Sequence, residues 1–116
     1  FAAEFAMMAE AMAAFKEIIS MNDAWTKGDK QMKQLFATRT LHAGARVYCG
    51  MLLLDQALLA SARMKEKGAI DADFYKGKIA TARFYVMNHV ADIFGYLKSM
   101  KFGDRSAIDI PEESFM

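Results

Sequence analysis

Between positions 71 and 102, apolar residues recur at Tyr75, Ile79, Ala82, Val86, Val90, Ile93, Leu97 and Met100. Steps of three and four mark one face of a helix. A second row, Ala80, Phe84, Met87, Ala91 and Phe94, lies beside the first, and Thr81, Asn88, Asp92 and Ser99 line the opposite side. The combined face is wider than a surface helix needs, so neighbours are expected to cover this helix on two sides.

Residues 1–25 show the same period twice over. Phe1, Phe5, Met8, Met12, Phe15 and Ile19 form one stripe, and Met7, Ala11, Ala14, Ile18, Met21 and Trp25 form another. Only Glu4, Glu10, Lys16, Glu17, Ser20 and Asp23 mark a narrow wet side. The arc exceeds what a three-helix packing takes up. Part of it is expected to meet a second copy or the rest of a longer parent chain.

Residues 30–67 predict a helix of roughly 55 Å, with Gly44 or Gly50 as candidate bends. Phe36, Ala43, Gly50, Ala57 and Met64 fall at heptad spacing. The small residues in that row invite another backbone to approach closely.

The turns follow from the punctuation. Gly28 suits the left-handed position after a helix and Asp29 can cap the next one. In residues 65–71, Gly68 ends one helix and Asp71 caps another. Gly103 stops the last helix. In the tail 103–116, Ile110 should be extended before Pro111. Pro111 with Glu112 and Glu113 can open a short turn, and Ile108, Ile110 and Phe115 are candidates to pin the tail. With one proline and abundant Ala, Met and Leu, the chain reads as all-α. The predicted architecture is an antiparallel up-down-up bundle of three long helices (about 1–25, 30–67 and 71–102) with a short C-terminal tail. Dimerisation or the parent chain would complete it to a larger bundle. No repeat or linker divides it. Beginning on Phe1 in mid-pattern, it reads as a single helical domain cut from a longer chain.

Folding back about Gly28 sets Ala13 opposite Ala43 and Ala6 opposite Gly50, small on small, and predicts a tight contact there. Folding back about Ala69 sets Asp55 opposite Arg83, each among apolar neighbours, and also Arg46 opposite Asp92. Nine residues separate Arg46 from Asp55, which puts them on different sides of the helix. Asp92 belongs to the polar side, so the expected partly buried ion pair is Asp55 with Arg83.

Composition narrows the function more than it names it. At 116 residues the chain is long enough for a modest core. A net charge of +1 gives no electrostatic case for nucleic acid or an anionic membrane surface. The apolar runs, such as 47–54, are too short for a membrane span. A lone cysteine, Cys49, excludes an intramolecular disulfide and fits a cytoplasmic location.

No catalytic constellation stands out. His42 and His89 have no metal-ligand partner at helical spacing, so a metal site is not expected. Cys49, in an apolar run, reads as a buried inert thiol. His89 lies near its level, which hints at a Cys–His pair, but no third group is in view. Glu10 and Glu17 fit a solvated face. Lys65, Lys67, Lys76 and Lys78 gather about the second turn, where solubilising charge explains them better than phosphate binding. The glycines form no phosphate-cradling loop. The ten methionines fall mostly on the helical stripes as core filling.

The run Phe74-Tyr75-Lys76-Gly77-Lys78-Ile79-Ala80-Thr81-Ala82-Arg83-Phe84-Tyr85 resembles a segment of certain acyl-CoA dehydrogenases. These are the long members similar to 3-methylmercaptopropionyl-CoA dehydrogenase, with an extra C-terminal helical domain. The closing Ile108-Asp109-Ile110-Pro111-Glu112-Glu113-Ser114-Phe115 is similar to that domain's ending. Gly50-Met51 followed by residues 52–60 resembles its middle helix, although tryptophan usually follows the glycine there. The resemblance implies a parent flavoprotein that oxidises acyl-CoA to enoyl-CoA, passing hydride to FAD. Its flavin pocket and carboxylate base belong to preceding domains, so no catalytic or cofactor-binding residue is carried over to this chain. The expected role is structural: covering the catalytic body, or supporting assembly as a homo-oligomer. Two other readings are a stand-alone helical dimerisation or interaction module, and a small bundle binding an apolar acyl ligand.

Overall fold

The computed structural model describes residues 1–66 and 70–115. The chain is all-α, with no strand among the described residues. It is elongated, 69 × 31 × 18 Å. Helix α1 runs Ala2–Lys27, α2 Lys30–Leu35, α3 Ala37–Met64, α4 Ala72–Tyr85 and α5 Asp92–Phe102, with a four-residue α6 at Ser106–Asp109. Helix α1 packs on α3 and α5, and α4 packs on α3. The expected turn about Gly68 and Ala69, and Lys67 of the lysine cluster, lie outside the described residues.

Each of the last two predicted rods is interrupted. The second breaks at Phe36 (φ −102°, ψ 9°), not at Gly44 or Gly50, across which α3 runs unbroken. At the break the Phe36 ring is 4% exposed and stacks on Trp25 at 5.4 Å. The third rod contains a π-helical turn, Val86–Val90. The sequence shows why the turn widens there. Core positions step from Ala82 to Val86 to Val90, two fours in succession, and at 100° per residue an α-helix would rotate the third position by about 80° off the face. A wider turn absorbs that drift. Ala82, Val86 and Val90 are all fully buried, as is Ile93 beyond them.

The inner row of each helix is the one with small or branched residues. Met8, Ala11, Ala14 and Ile18 of α1 are buried, as are Ala43, Val47, Leu54 and Ala57 of α3. The heptad row read from the sequence, Phe36, Ala43, Gly50 and Ala57, faces inward as expected. Full burial of Ile18 or Ile93 is worth roughly 1.5–3 kcal/mol each. The outer rows are open. Phe5, Met12 and Ile19 of α1 are 46%, 39% and 40% exposed, and Phe84 of α4 is 60% exposed. Neighbours within the chain therefore cover the first row of residues 71–102 and, of the second, only Ala91 and Phe94; Ala80, Phe84 and Met87 stay exposed, where cover on both rows was expected.

At the termini, Asp29 caps α2 by accepting from the Met32 N–H at 3.3 Å. Gly28 is not left-handed (φ −125°); the left-handed glycine is Gly103 (φ 60°), which ends α5. Asp71 stands at the N-cap of α4, but its side chain makes no capping bond. Ile110 is extended, as its proline neighbour requires, and Glu112–Phe115 forms a 3-10 turn. Of the three residues expected to pin the tail, only Ile108 packs on the core. Arg105 does most of the anchoring: it pairs with Asp29 and donates to Gln31 at 3.4 Å.

Candidate functional site

Arg83 is where the sequence reading needs correction. Its Nε donates to Glu4 Oε1 at 3.0 Å, and its guanidinium stands 5.1 Å from the Phe1 ring. Asp55 is not its partner. It is exposed and lines a small apolar groove between α1 and α3 with Phe5, Met8, Ala9, Met12 and Met51. The physical reason is that α1 brings a carboxylate nearer than the facing turn of α3 does. Among the described residues Glu4 is the one buried charged side chain, 8% exposed. The sequence carried a signal for this: Glu4 heads the row Met8, Ala11 and Ile18 that α1 buries.

The small-on-small pairs also shift. Ala43 and Gly50 are buried, but Ala6 and Ala13 are exposed. A Cβ at Gly50 would stand 2.9 Å from Met8 Sδ and 2.9 Å from Val90 Cγ2, and one at Gly44 would stand 3.2 Å from Phe15 Cζ. The close approach at Gly50 is present, with different partners. Residues 28–36 take up more chain than a single turn, so α1 meets α3 about two residues out of the expected register. Two residues turn a helix by about 200°, which carries Ala6 and Ala13 outward.

The fold-back of the second and third rods is in register. The pair set aside in the sequence is the one that forms: Arg46 lies 3.5 Å from Asp92 Oδ2. Arg46 Nη1 is 3.4 Å from His89 Nδ1, while its buried Nε has no partner. The His89 ring lies 5.3 Å from Tyr85. Burial above all, and then Cys49 beside it, pushes the Tyr85 hydroxyl above its ordinary range, while Arg46 pulls it down. Tyr85 therefore takes the place beside Cys49 that the hinted Cys–His pair gave to His89. Cys49 itself is exposed, contrary to the expected buried thiol. The widened turn brings these groups together, yet nothing in the cluster pairs a nucleophile with an oriented base. His42 is exposed, and Glu17 pairs with Lys101 at 2.9 Å on the surface. Among the described residues no group of His, Cys, Asp or Glu could hold a metal ion, and no helix is long and apolar enough to cross a membrane.

A groove of about 390 Å³ lies between α3 and α4. Gln56, Leu59, Ala60, Arg63, Phe74, Tyr75 and Lys78 line it. Lys78 Nζ sits 5.4 Å from the Phe74 ring centroid.

An all-α chain with a small-residue seam and open apolar outer rows has the character of a helical module built to be covered. The chain belongs to the family described as "Acetyl-CoA dehydrogenase C-terminal like", whose model matches residues 1–111. It is 61% and 59% identical to two proteins of Syntrophomonas wolfei subsp. wolfei, each named butyryl-CoA dehydrogenase. Both matches cover all of this chain and 19% of the relative, so the chain spans about a fifth of the length of the curated relatives it matches. No solved structure matches.

The family implies FAD in the enzymes that carry such a domain. The residues here do not fit that group. Gly77 and Gly95 lie within helices and have nothing within 4 Å of where a Cβ would stand, so neither opens a backbone cradle for a pyrophosphate. The grooves are open and too small to hold a dinucleotide along its length. No flavin chemistry is derived from this chain.

Proposed function

We propose that the chain is the C-terminal structural domain of a FAD-dependent acyl-CoA dehydrogenase whose remaining domains convert an acyl-CoA to an enoyl-CoA. The observation that carries this reading is the contrast between a sealed inner seam and long exposed apolar rows at Phe5, Met12 and Ile19 on α1 and Leu41, Tyr48 and Leu52 on α3. Free surfaces seldom leave so much contiguous apolar area uncovered. The body of the parent enzyme, or a second subunit seated against it, is the partner proposed for those rows, completing the helices into a larger bundle. The names of the relatives favour a short acyl chain. The likeness of residues 74–85 and 108–115 to enzymes of the 3-methylmercaptopropionyl-CoA dehydrogenase type supports a long member of the family.

The test is made on the full-length protein, with and without these residues. The intact enzyme is expected to carry flavin absorbance and to reduce an artificial electron acceptor with butyryl-CoA. The truncated enzyme is expected to aggregate or change its subunit number. Full-length protein without flavin, or a truncated enzyme with the same native mass and melting temperature, would overturn the proposal.

A further inference from the structure

We infer that the α3–α4 groove binds a phosphorylated, ring-bearing anion, the chemistry of a nucleoside phosphate. The buried Ala60, 3% exposed, lines it together with Phe74 and Leu59, 60% and 58% exposed. Two cations from different helices, Arg63 of α3 and Lys78 of α4, converge on its rim beside the Gln56 amide. Neither cation has an acidic partner within 4 Å among the described residues. Lys16, Lys33, Arg39 and Lys76 are unpaired there as well; what sets Arg63 and Lys78 apart is that both line one groove. The volume, about 390 Å³, falls at the small end of the range for small-molecule sites.

The chemistry selects the ligand class. A fork-shaped guanidinium and an ammonium suit a phosphate. An exposed aromatic face beside them suits a flat ring, and a base stacked on an aromatic side chain gains binding from any nucleobase. A purely apolar ligand would leave both cations unused, and a bare phosphate would leave Phe74 and Leu59 uncovered. The nucleotide end of a CoA thioester combines both features. Only that choice of source rests on the parentage proposed above; the groove's own chemistry does not.

The experiment is a titration of the ¹⁵N-labelled chain with ADP, inorganic phosphate and dodecanoate in parallel, at low salt. ADP is expected to give saturable shifts confined to the groove, at Leu59, Arg63, Phe74, Tyr75 and Lys78, with a Kd of about 1 mM or below. Phosphate is expected to bind at least tenfold more weakly. The double variant R63E/K78E should weaken ADP at least tenfold, and Phe74→Ala severalfold. The milder Lys78→Gln serves if the double variant loses its helical circular dichroism. Absence of saturation with ADP overturns the site. So does phosphate matching ADP, which would mean charge alone, or dodecanoate binding more tightly, which would mean an apolar ligand. Since the chain alone is titrated, ADP binding does not depend on whether the parent enzyme holds flavin.

Discussion

The bundle at the level of Gly50 and the far end of the α3–α4 pair use the same residue types to opposite effect. At Gly50, α1, α3 and the widened turn converge, and Met8 and Val90 stand where its Cβ would be. At the far end of the described residues, α4 packs against α3. Leu54 is 2% exposed, while Leu59, five residues on and so about 140° round the helix, is 58% exposed. Hydrophobic character does not bury a residue; the face it stands on does. The far end keeps its leucine and phenylalanine beside two cations, whereas the groove at the level of Gly50, lined by Phe5, Met8, Met12 and Met51, has no cation on it.

The sharpest challenge to this contrast is made at its tight side. Gly50→Leu should destabilise the chain by about 3 kcal/mol, since Val90 is stiff at χ1 and α3 cannot move away without opening the whole seam. Leu54→Ala should cost a similar amount, about 3 kcal/mol, through lost burial and a cavity. Urea unfolding followed by circular dichroism reads both. A midpoint unchanged in either variant would mean that the three helices do not meet closely there.

A second, smaller effect separates the two carboxylates. Arg83→Met leaves Glu4 nearly buried without its cation. Because Arg83 is itself half exposed, the expected cost is about 1–2 kcal/mol, less than for a fully buried pair. Asp55→Asn should stay within about 0.5 kcal/mol, as for other exposed positions. Equal losses in the two variants would restore Asp55 as the partner.

Periodicity made the helices and the inward heptad row of α3 legible in the sequence, because burial and spacing are both local facts. The register of the last two rods was legible, but the choice within it was not: Arg46 meets Asp92, the pair passed over in favour of Asp55 with Arg83. What could not be read was how much chain the first turn consumes. Phe36 leaves helical geometry to pack on Trp25, and the slip of about two residues moved Ala6 and Ala13 to the outside. The choice of ion pair failed for a related reason. Facing two helices at a time leaves out the third, and Glu4 comes from the third. The groove was not legible: of the lysine cluster, read as solubilising charge, only Lys78 lines it, and its other cation, Arg63, comes from a different helix.

The widened turn offers a pH test of the covered level. The Tyr85 hydroxyl is held above its ordinary range of about 10, chiefly by burial. The folded state therefore keeps this proton at a pH where the unfolded chain has begun to lose it. The resulting contribution is fully present below pH of about 10 and is lost as pH rises through the folded value. Unfolding free energy should fall more steeply above that pH in the wild-type chain than in Tyr85→Phe. Identical slopes would place the hydroxyl in free solvent.

The smallest expected effect is the most telling about the far end. Leu59→Ala removes as many carbons as Leu54→Ala, from the same helix, with the same gain in helix propensity. More than half of the Leu59 surface is already in water, so little burial is lost and no closed cavity is left behind. The unfolding midpoint should therefore move by no more than about 0.5 kcal/mol in equivalent stability. If the two variants lost comparable stability, something in the chain would have to cover Leu59 in solution. The groove would then be closed to the ligand that its cations and aromatic wall suit.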